Sequence, residues 1–233
     1  VGQMLALEIV DTWLGTEFSH NERHQRRIDK VMALLDGEPM IVRTVRTFQN
    51  CDAIKEIVIV TREDLIVPIT NLCRDFDKVR AVVRGGNSRQ ESVGLGLNTL
   101  SKKVKLAAVQ DGARPLITEA VIDRTVRAAN SYGAAAPAIP VKDTIKVVKG
   151  GMVVETPDRA TLQAVQTPQV FDFDLLKGAL KKAETTGAAV TDDCSAVELM
   201  GMKVKIVEGD ERNIKVTTPM DLKIAEMLLE EMK

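Results

Sequence analysis

Short runs of apolar residues alternate, over the first half of the chain, with longer segments in which apolar residues recur every three or four positions. The runs predict β-strands and the periodic segments predict α-helices. The predicted strands are Met4–Val10, Glu56–Thr61, Val79–Val83 and Leu106–Val109, and the predicted helices are Pro39–Phe48, Leu65–Phe76, Arg89–Leu100 and Thr118–Tyr132. This alternation predicts an α/β fold with a mostly parallel sheet, helices on both faces, and ligands beyond the carboxyl ends of the strands.

The pattern changes between residues 136 and 159. Two alternating strands, Ile145–Val148 and Met152–Glu155, flank a Gly150-Gly151 turn, which indicates a β-hairpin. A lone two-stranded hairpin is marginal in water, so we expect this one to pack against a second copy of the chain. Further helices are predicted over Phe173–Thr185, Cys194–Met200 and from Thr218 onward, and a strand over Lys203–Val207. Residues 1–233 are therefore predicted to form one domain, with 136–159 as a protruding, dimerising β-arm.

Composition and charge narrow the possible partners. The chain carries 32 basic and 33 acidic residues, a formal net charge of −1, which gives no general electrostatic attraction for nucleic acid or for an anionic membrane. Its three cysteines, Cys51, Cys73 and Cys194, are widely spaced and odd in number, which favours buried thiols in a reducing cytosol. No apolar run approaches the ~20 residues of a membrane span and no signal peptide is recognisable, so a soluble cytoplasmic protein is predicted.

The stretch from Val82 to Leu97 holds the strongest single indication of a binding site. A β-branched pair leads into a Gly85-Gly86 turn and then into a helix that starts near Ser88. Two adjacent glycines let a flat or anionic ligand approach the backbone, and the helix start offers free N–H groups and a positive dipole end. The same pattern also suits an ordinary strand-to-helix turn, so this stretch alone leaves both interpretations open.

Seven short motifs follow one another in a fixed order along the chain. They are Gly85–Val93, Asp111–Pro115, Pro140–Lys146, Asp158-Arg159, Gln166–Gln169, Thr191–Asp193 and Asn213–Thr217. In order and spacing they resemble the motifs of the 2-C-methyl-D-erythritol 4-phosphate cytidylyltransferases of isoprenoid precursor synthesis, over roughly residues 30 to 233. The resemblance implies a Rossmann-like nucleotidyltransferase that joins 2-C-methyl-D-erythritol 4-phosphate to CTP with Mg²⁺ and releases pyrophosphate.

The residue types suit such a transfer. The nucleophile is a phosphate monoester oxygen, largely ionised at neutral pH because its second pKa is about 6, so no general base is needed. The barrier lies in bringing two anions together, and cations placed around the α-phosphate lower it. The chain has only two histidines, His20 and His24, but it has lysines and arginines beside glycines in its loops. This inventory suits charge neutralisation better than proton transfer.

The resemblance implies individual roles at the nucleotide. It implies that Lys30 contacts the triphosphate, that Lys215 stabilises the pentacoordinate α-phosphorus, and that Asp111 holds Mg²⁺. The implied nucleotide-binding positions are Gly15, Gly85, Gly86, Asn87, Ser92, Asp111 and Gly112. From the residues alone, either lysine also suits a solvated surface position, and Ser92 also suits a capped helix start.

A second set of positions is implied for the sugar phosphate. These are Asp111, Arg114, Arg159, Thr167, Thr191 and Lys215. In the family the arm reaches into the neighbouring subunit, which would place Arg159 in the site of a second copy. Simpler interpretations stand beside these roles: an ordinary ion pair for Arg114 or Arg159, a turn at Thr167, and a helix cap at Thr191.

One region departs from the family pattern. After its first strand the family has a glycine loop that wraps the triphosphate, but here Trp13 stands where glycine is expected and Glu17 where a phosphate-binding arginine is expected. A bulky ring blocks approach to the backbone, and a carboxylate repels phosphate. Arg23 is the substitute cation that counting back from Lys30 offers. Residues 11–29 are therefore either a natural variant with impaired CTP binding or an irregularity of the sequence.

We expect a homodimeric, CTP-dependent cytidylyltransferase that binds neither nucleic acid nor membrane. Two alternatives remain open from the sequence. A cytidylyltransferase for another polyol phosphate, such as ribitol 5-phosphate, would share most of the motifs. A non-catalytic dimeric module would keep the fold without the activity, if the altered first loop abolishes CTP binding.

Overall fold

An eight-stranded central sheet organises the molecule, and two separate two-stranded sheets accompany it. The computed structural model describes residues 5–10 and 32–232, and over residues 5–10 it describes the strand without its side chains. The strands are β1 (Leu5–Val10), β2 (Leu34–Leu35), β3 (Glu38–Pro39), β4 (Glu56–Thr61), β5 (Val79–Arg84), β6 (Leu106–Asp111), β7 (Ala134–Pro140), β8 (Val147–Lys149), β9 (Met152–Glu155), β10 (Gln163–Val165), β11 (Gln169–Asp172) and β12 (Lys205–Glu208). The α-helices are α1 (Met40–Asn50), α2 (Glu63–Leu72), α3 (Arg89–Thr99), α4 (Glu119–Tyr132), α5 (Phe173–Thr186), α6 (Asp193–Glu198) and α7 (Pro219–Glu231), and a 3-10 helix spans Arg159–Thr161.

The sheet has the order β10-β7-β11-β6-β1-β4-β5, and β12 also pairs with β7. The pairs among β1, β4, β5 and β6 are parallel, as is the β7–β12 pair. Both β10 and β11 run antiparallel to their neighbours. Val10 lies opposite both Val60 and Asp111, so β1, β4 and β6 end at one edge. The predicted α/β class is confirmed, and this edge is where such sheets bind ligands.

Alternate residues of the inner strands supply two hydrophobic cores, one on each face of the sheet. Ile57 and Ile59 of β4 pack with apolar residues of α1, α2 and α4. Val58 and Val60 of the same strand pack with residues of α3, α5 and α6. Strands buried on both faces read as continuous apolar runs, which is why β4 was predictable from sequence. The expected helices on both faces are therefore present.

The largest difference from the sequence-based prediction is β7, a strand that the apolar pattern does not reveal. Its residues Ala134 to Ala136 are fully buried, but alanine has little strand preference, so nothing in the sequence marks them as a strand. β7 belongs to the central sheet, and the two-stranded hairpin β8–β9 forms a separate sheet. The hairpin is therefore shorter than the range 136–159 that the sequence assigns to the arm.

Local sequence sets several helix ends. The Glu91 N–H donates to the Ser88 side chain at the start of α3, and Thr218 and Asp221 form a reciprocal capping box at the start of α7, as predicted for Thr218. Gly133 ends α4 with a φ of 81°, a left-handed conformation that favours glycine. Helix α2 ends at Leu72, four residues before the predicted end at Phe76.

Within residues 5–10 and 32–232, no helix combines the length and apolarity needed to span a membrane.

Candidate active site

Two polar loops lie at the carboxyl edge of the sheet. β5 ends at Arg84 and leads into Gly85-Gly86, and β6 ends at Asp111 and leads into Gly112. Between them lie β4 and β1, which end at the same edge. The placement expected from the alternation of strands and helices is therefore the one observed.

Asp111 gathers two cations at this edge. Its side chain is 7% exposed, and its Oδ2 lies 3.0 Å from Lys215 Nζ and 3.3 Å from Arg114 Nε. The Lys215 side chain is 30% exposed, so part of it is open to a ligand. Burial lowers the pKa of Arg114, and the neighbouring Asp111 carboxylate partly offsets that effect. Guanidinium and ammonium groups of this kind are suited to bind a phosphate ligand.

Asn213 connects three segments of the candidate site, and sequence reasoning gave it no role. Its side-chain amide donates to the Thr167 carbonyl at 3.0 Å, and its own carbonyl accepts from Arg114 Nη1 at 2.7 Å. The Asp111 backbone N–H in turn donates to Thr167 Oγ1 at 3.1 Å. Asn213 is fully buried. Its position two residues before Lys215, inside a recognised motif, was the signal that could have identified it.

The Gly85-Gly86 loop is held in shape by the first turn of α3. The Gly86 N–H donates to Ser92 Oγ at 3.1 Å, and Ser92 Oγ donates to the Ser88 carbonyl at 2.8 Å. The Asn87 N–H donates to a Glu91 carboxylate oxygen at 2.7 Å. A Cβ on Gly86 would overlap the Glu91 side chain, so any larger residue requires that side chain to move. Ser92 is fully buried beneath this loop.

Thr191 lies on the segment that precedes α6. Its N–H donates to Ser195 Oγ at 3.1 Å, and Asp192 caps the helix by accepting from the Ser195 N–H at 2.9 Å. The next residue, Asp193, forms a buried ion pair with Arg89, the first residue of α3. This pair joins the Thr191 segment to the helix that follows Gly85-Gly86, and sequence reasoning missed it.

Arg159 makes its side-chain hydrogen bond outside the Asp111 cluster. It lies on the exposed 3-10 helix, and its Nη1 donates to the Lys142 carbonyl at 2.9 Å. Among the described residues this is the polar contact its side chain makes. The remaining predicted positions Gly15, Arg23 and Lys30, together with Trp13 and Glu17, lie outside the described residues.

The sheet and its edge cluster are typical of Rossmann-like α/β proteins that bind phosphate groups through cations. The family model for 2-C-methyl-D-erythritol 4-phosphate cytidylyltransferase matches residues 19–231, and this chain belongs to that family. A protein of that name from Caldanaerobacter subterraneus subsp. tengcongensis is 41% identical over 215 residues, covering 89% of this chain and 93% of the relative. One from Symbiobacterium thermophilum is 44% identical over 198 residues, covering 84% of this chain and 83% of the relative.

Solved structures agree with the sequence comparison. The crystal structure of 4-diphosphocytidyl-2C-methyl-D-erythritol synthase from Anaerococcus prevotii superimposes with a TM-score of 0.86 at 28% identity, covering 99% of this chain and 100% of that chain. The 2-C-methyl-D-erythritol 4-phosphate cytidylyltransferase from Thermus thermophilus gives a TM-score of 0.78 at 28% identity, covering 97% and 98%. The resemblance inferred from seven motifs is confirmed. The family match begins at residue 19, after Trp13 and Glu17.

Proposed function

We propose that this protein transfers the cytidylyl group of CTP to 2-C-methyl-D-erythritol 4-phosphate and releases pyrophosphate. The observation that carries the proposal is the cluster of Asp111, Arg114 and Lys215 at the carboxyl edge of the sheet. It stands in a chain whose family and relatives are named for that reaction. Cations at this edge are what a reaction between two phosphate groups requires.

In the proposed step, a phosphate oxygen of the acceptor attacks the α-phosphorus of CTP. The bond between that phosphorus and the oxygen bridging to the β-phosphate breaks, and its electron pair leaves with pyrophosphate. Negative charge builds on the α-phosphate oxygens during this exchange, and Lys215 is the cation assigned to stabilise it. Its Nζ is held 3.0 Å from Asp111, so the charge is in place before the reaction, as electrostatic catalysis requires.

The acceptor phosphate is assigned to Thr167, Thr191, Arg114 and Arg159. Thr167 and Arg114 are joined to the cluster by Asn213 and Asp111. Thr191 lies on a capped segment that the Arg89–Asp193 pair holds against α3. Arg159 is assigned to the site of a second copy, since in its own chain it contacts the Lys142 carbonyl.

The nucleotide is assigned to the two edge loops. Gly85, Gly86 and Asn87, supported by Ser92, form the side assigned to cytidine, and Asp111 with Gly112 forms the side assigned to the phosphates. The support is the close approach to the backbone that two glycines allow and the start of α3 behind them. Gly15, Lys30 and Arg23 complete the assignment for the triphosphate, from the family pattern.

Mg²⁺ is proposed as the cofactor. Within residues 32–232, no cluster of three or more histidine, cysteine, aspartate or glutamate side chains is arranged to hold a metal. Mg²⁺ needs only one or two carboxylates when substrate phosphates and water supply its other ligands, and Asp111 provides one carboxylate at the edge. When bound with CTP, the ion would neutralise phosphate charge.

We also propose a homodimer formed through the arm. Five apolar side chains of β8 and β9 are exposed: Val147, Val148, Met152, Val153 and Val154. Consecutive residues of a strand point to opposite faces, so in one chain both faces of the hairpin lack cover. An apolar hairpin of this kind needs a partner surface, and a second copy that also needs Arg159 is the simplest partner.

The dimer is tested by placing a charge on the arm. We expect Val153→Asp to shift the protein toward monomer in analytical ultracentrifugation, with little change in melting temperature. Val67→Asp is the matched control, because Val67 is also a well-exposed valine but lies on α2. A monomeric unsubstituted protein, or equal dissociation of both variants, would refute the proposed interface.

A cytoplasmic location is proposed on the state of the thiols. Cys51, Cys73 and Cys194 are all free and buried, and burial raises the pKa of the Cys73 thiol to about 11. Neutral buried thiols are typical of proteins from a reducing compartment.

The activity is tested by incubating the protein with CTP, Mg²⁺ and 2-C-methyl-D-erythritol 4-phosphate and measuring pyrophosphate release. Ribitol 5-phosphate is the matched competing acceptor. We expect pyrophosphate release that depends on the first acceptor and is much slower with the second. Faster turnover of ribitol 5-phosphate would overturn the proposed substrate, and CTP binding without turnover of either acceptor would overturn the proposed activity.

A further inference from the structure

A buried ion pair joins the two sides of the candidate active site. Arg89 Nη1 lies 2.7 Å from Asp193 Oδ1, and Arg89 Nη2 pairs with Oδ2, so two parallel hydrogen bonds connect the first residues of α3 and α6. The Asp193 side chain is completely buried and that of Arg89 is 19% exposed. The two residues are 104 positions apart in sequence.

Each end of this pair lies beside a segment assigned to one substrate. Arg89 follows the Gly85-Gly86 loop, on the cytidine side. Asp193 follows Thr191, on the side of the acceptor phosphate. A second contact runs in parallel, since the Gln90 side chain donates to the Val190 carbonyl at 3.3 Å. The two segments, which lie on the same face of the sheet, are therefore connected to each other directly.

Gln169 of β11 fixes the Asp193 end to the sheet. Its Oε1 accepts from the backbone N–H groups of Asp193 and Cys194, both at 3.1 Å, and its Nε2 donates to Asp192 Oδ2 at 2.8 Å. The carboxylate that faces Arg89 thus has little freedom to move. A rigid carboxylate and the planar guanidinium fork define one relative position of α3 and α6.

Stability alone is a poor explanation for this pair. Taking two charges out of water costs free energy that can exceed what their attraction returns, so a buried ion pair is weak evidence for a role in stability. Burial alone would lower the pKa of Arg89, but the charges of Asp193 first, and then of Asp111 and Asp192, raise it above its usual range. The guanidinium therefore stays charged and keeps both of its hydrogen bonds to the Asp193 carboxylate.

We propose that Arg89 and Asp193 are positioning residues that align the bound nucleotide with the bound acceptor. They touch neither reacting group; they hold the Gly85-Gly86 loop and the Thr191 segment at the separation that brings the acceptor oxygen to the α-phosphorus. The inference rests on the proposed function. Misalignment of reacting atoms by about 1 Å can cost roughly 10²-fold in rate, so this pair is expected to affect turnover more than binding.

The test is a double-mutant cycle with Arg89→Met, Asp193→Asn and the double variant. We expect kcat at saturating substrates to fall at least tenfold in each single variant, while the affinity for CTP alone, measured by calorimetry, stays within about threefold. The double variant should be no slower than the slower single variant, because both substitutions break one link. Arg89→Lys, which keeps the charge but loses the fork, should recover only part of the rate.

The matched control is a second buried carboxylate at the opposite edge of the sheet. Glu56 pairs with Arg80 at 3.2 Å and its side chain is 11% exposed. Glu56→Gln should lower the melting temperature by a similar amount and leave kcat unchanged. A kcat within twofold of the unsubstituted protein in the Arg89 and Asp193 variants, or a loss of kcat that Glu56→Gln reproduces, would overturn the inference.

Hydrogen exchange of the substrate-free protein separates this inference from the proposed function. Arg89→Met should speed amide exchange over residues 190–195, and Asp193→Asn should speed it over residues 85–90. If the unsubstituted protein turns over no polyol phosphate, the proposed function fails and this reciprocal effect alone decides the coupling. Exchange that changes only on the substituted side would refute the link.

Discussion

The carboxyl edge of the sheet and the hairpin arm place their charged residues in opposite surroundings. At the edge, Arg114 and Lys215 both have a charged-group nitrogen within 3.3 Å of Asp111 Oδ2, and Asn213 holds the neighbouring loops. On the arm, Arg159 is exposed and contacts a backbone carbonyl of its own chain. The charged side chains at the edge are therefore grouped within one chain, whereas Arg159 on the arm is exposed and away from such a group.

This difference suggests different roles for the two regions, catalysis for the edge and contact with a partner for the arm. Charges that must act in a transition state are most effective when they are already in place, and the edge meets that condition in one subunit. The arm exposes Met152, Val153 and Val154, and an exposed apolar surface of this kind is typical of an interaction site. We therefore expect catalysis to depend on the edge of each subunit. We expect the arm of the second subunit to complete that site.

The strongest test of the edge is the removal of its exposed cation. Lys215→Met keeps most of the side-chain volume but removes the charge, so we expect kcat to fall by ~10² or more while CTP affinity changes much less. The measurement is steady-state kinetics together with CTP titration. Lys223→Met, at an exposed position of α7, is the control. A kcat within a few-fold of the unsubstituted value would show that Lys215 has no catalytic role. The proposed contrast between a catalytic edge and a partner-binding arm would then fail.

The next test concerns the segment that follows β1, the strand that ends opposite Asp111. Replacing Trp13→Gly and Glu17→Arg together removes a bulky ring and a repelling carboxylate and restores a cation. One charge-assisted hydrogen bond is worth roughly 1.5 to 3 kcal/mol, so CTP affinity should rise at least tenfold. Calorimetry at fixed salt and Mg²⁺ measures this. Unchanged or weaker binding would shift the assignment of the missing cation to Arg23.

The sequence predicted those parts of the molecule whose signal is local. Continuous apolar runs revealed β4 and β6, and Thr218 with Pro219 revealed the start of α7. The motif around Lys215 pointed to a cation, although only the fold shows that it meets Asp111. β7 could not be predicted, because buried alanines carry no periodic or β-branched pattern.

Contacts between segments that are distant along the chain could not be predicted from the sequence. Arg89 pairs with Asp193 across 104 positions, and the chain offers 33 acidic residues from which to choose a partner. Asn213 acts through its own carbonyl and through the carbonyl of Thr167, and backbone groups are present at every residue. A single sequence does not show which backbone group a side chain will meet, so these links emerge only from the folded chain.

A third test joins the two regions. Arg159→Ala and Lys215→Ala subunits, each inactive as homodimers, are mixed and allowed to exchange. If Arg159 serves the site of the other copy, half of the dimers are mixed and each holds one intact site, so activity should recover to roughly a quarter of the unsubstituted value. Subunit exchange is verified by native mass spectrometry. Exchange without recovery would place Arg159 in its own subunit's site or outside catalysis.

The smallest expected effect comes from Ser92, which shapes the edge without carrying charge. Ser92→Ala leaves the Gly86 N–H without the acceptor that it now has at 3.1 Å. The loss of a hydrogen bond of this kind costs about 1 kcal/mol. We therefore expect the KM for CTP to rise a few-fold, with kcat nearly unchanged. Thr99→Ala is the matched control, because Thr99 makes the same bond to the carbonyl four residues earlier, to Leu95 at 2.9 Å, but lies at the far end of α3. If both variants raise the KM equally, the effect arises from the helix and not from the Gly85-Gly86 loop. The assignment of CTP binding to that loop would then be wrong.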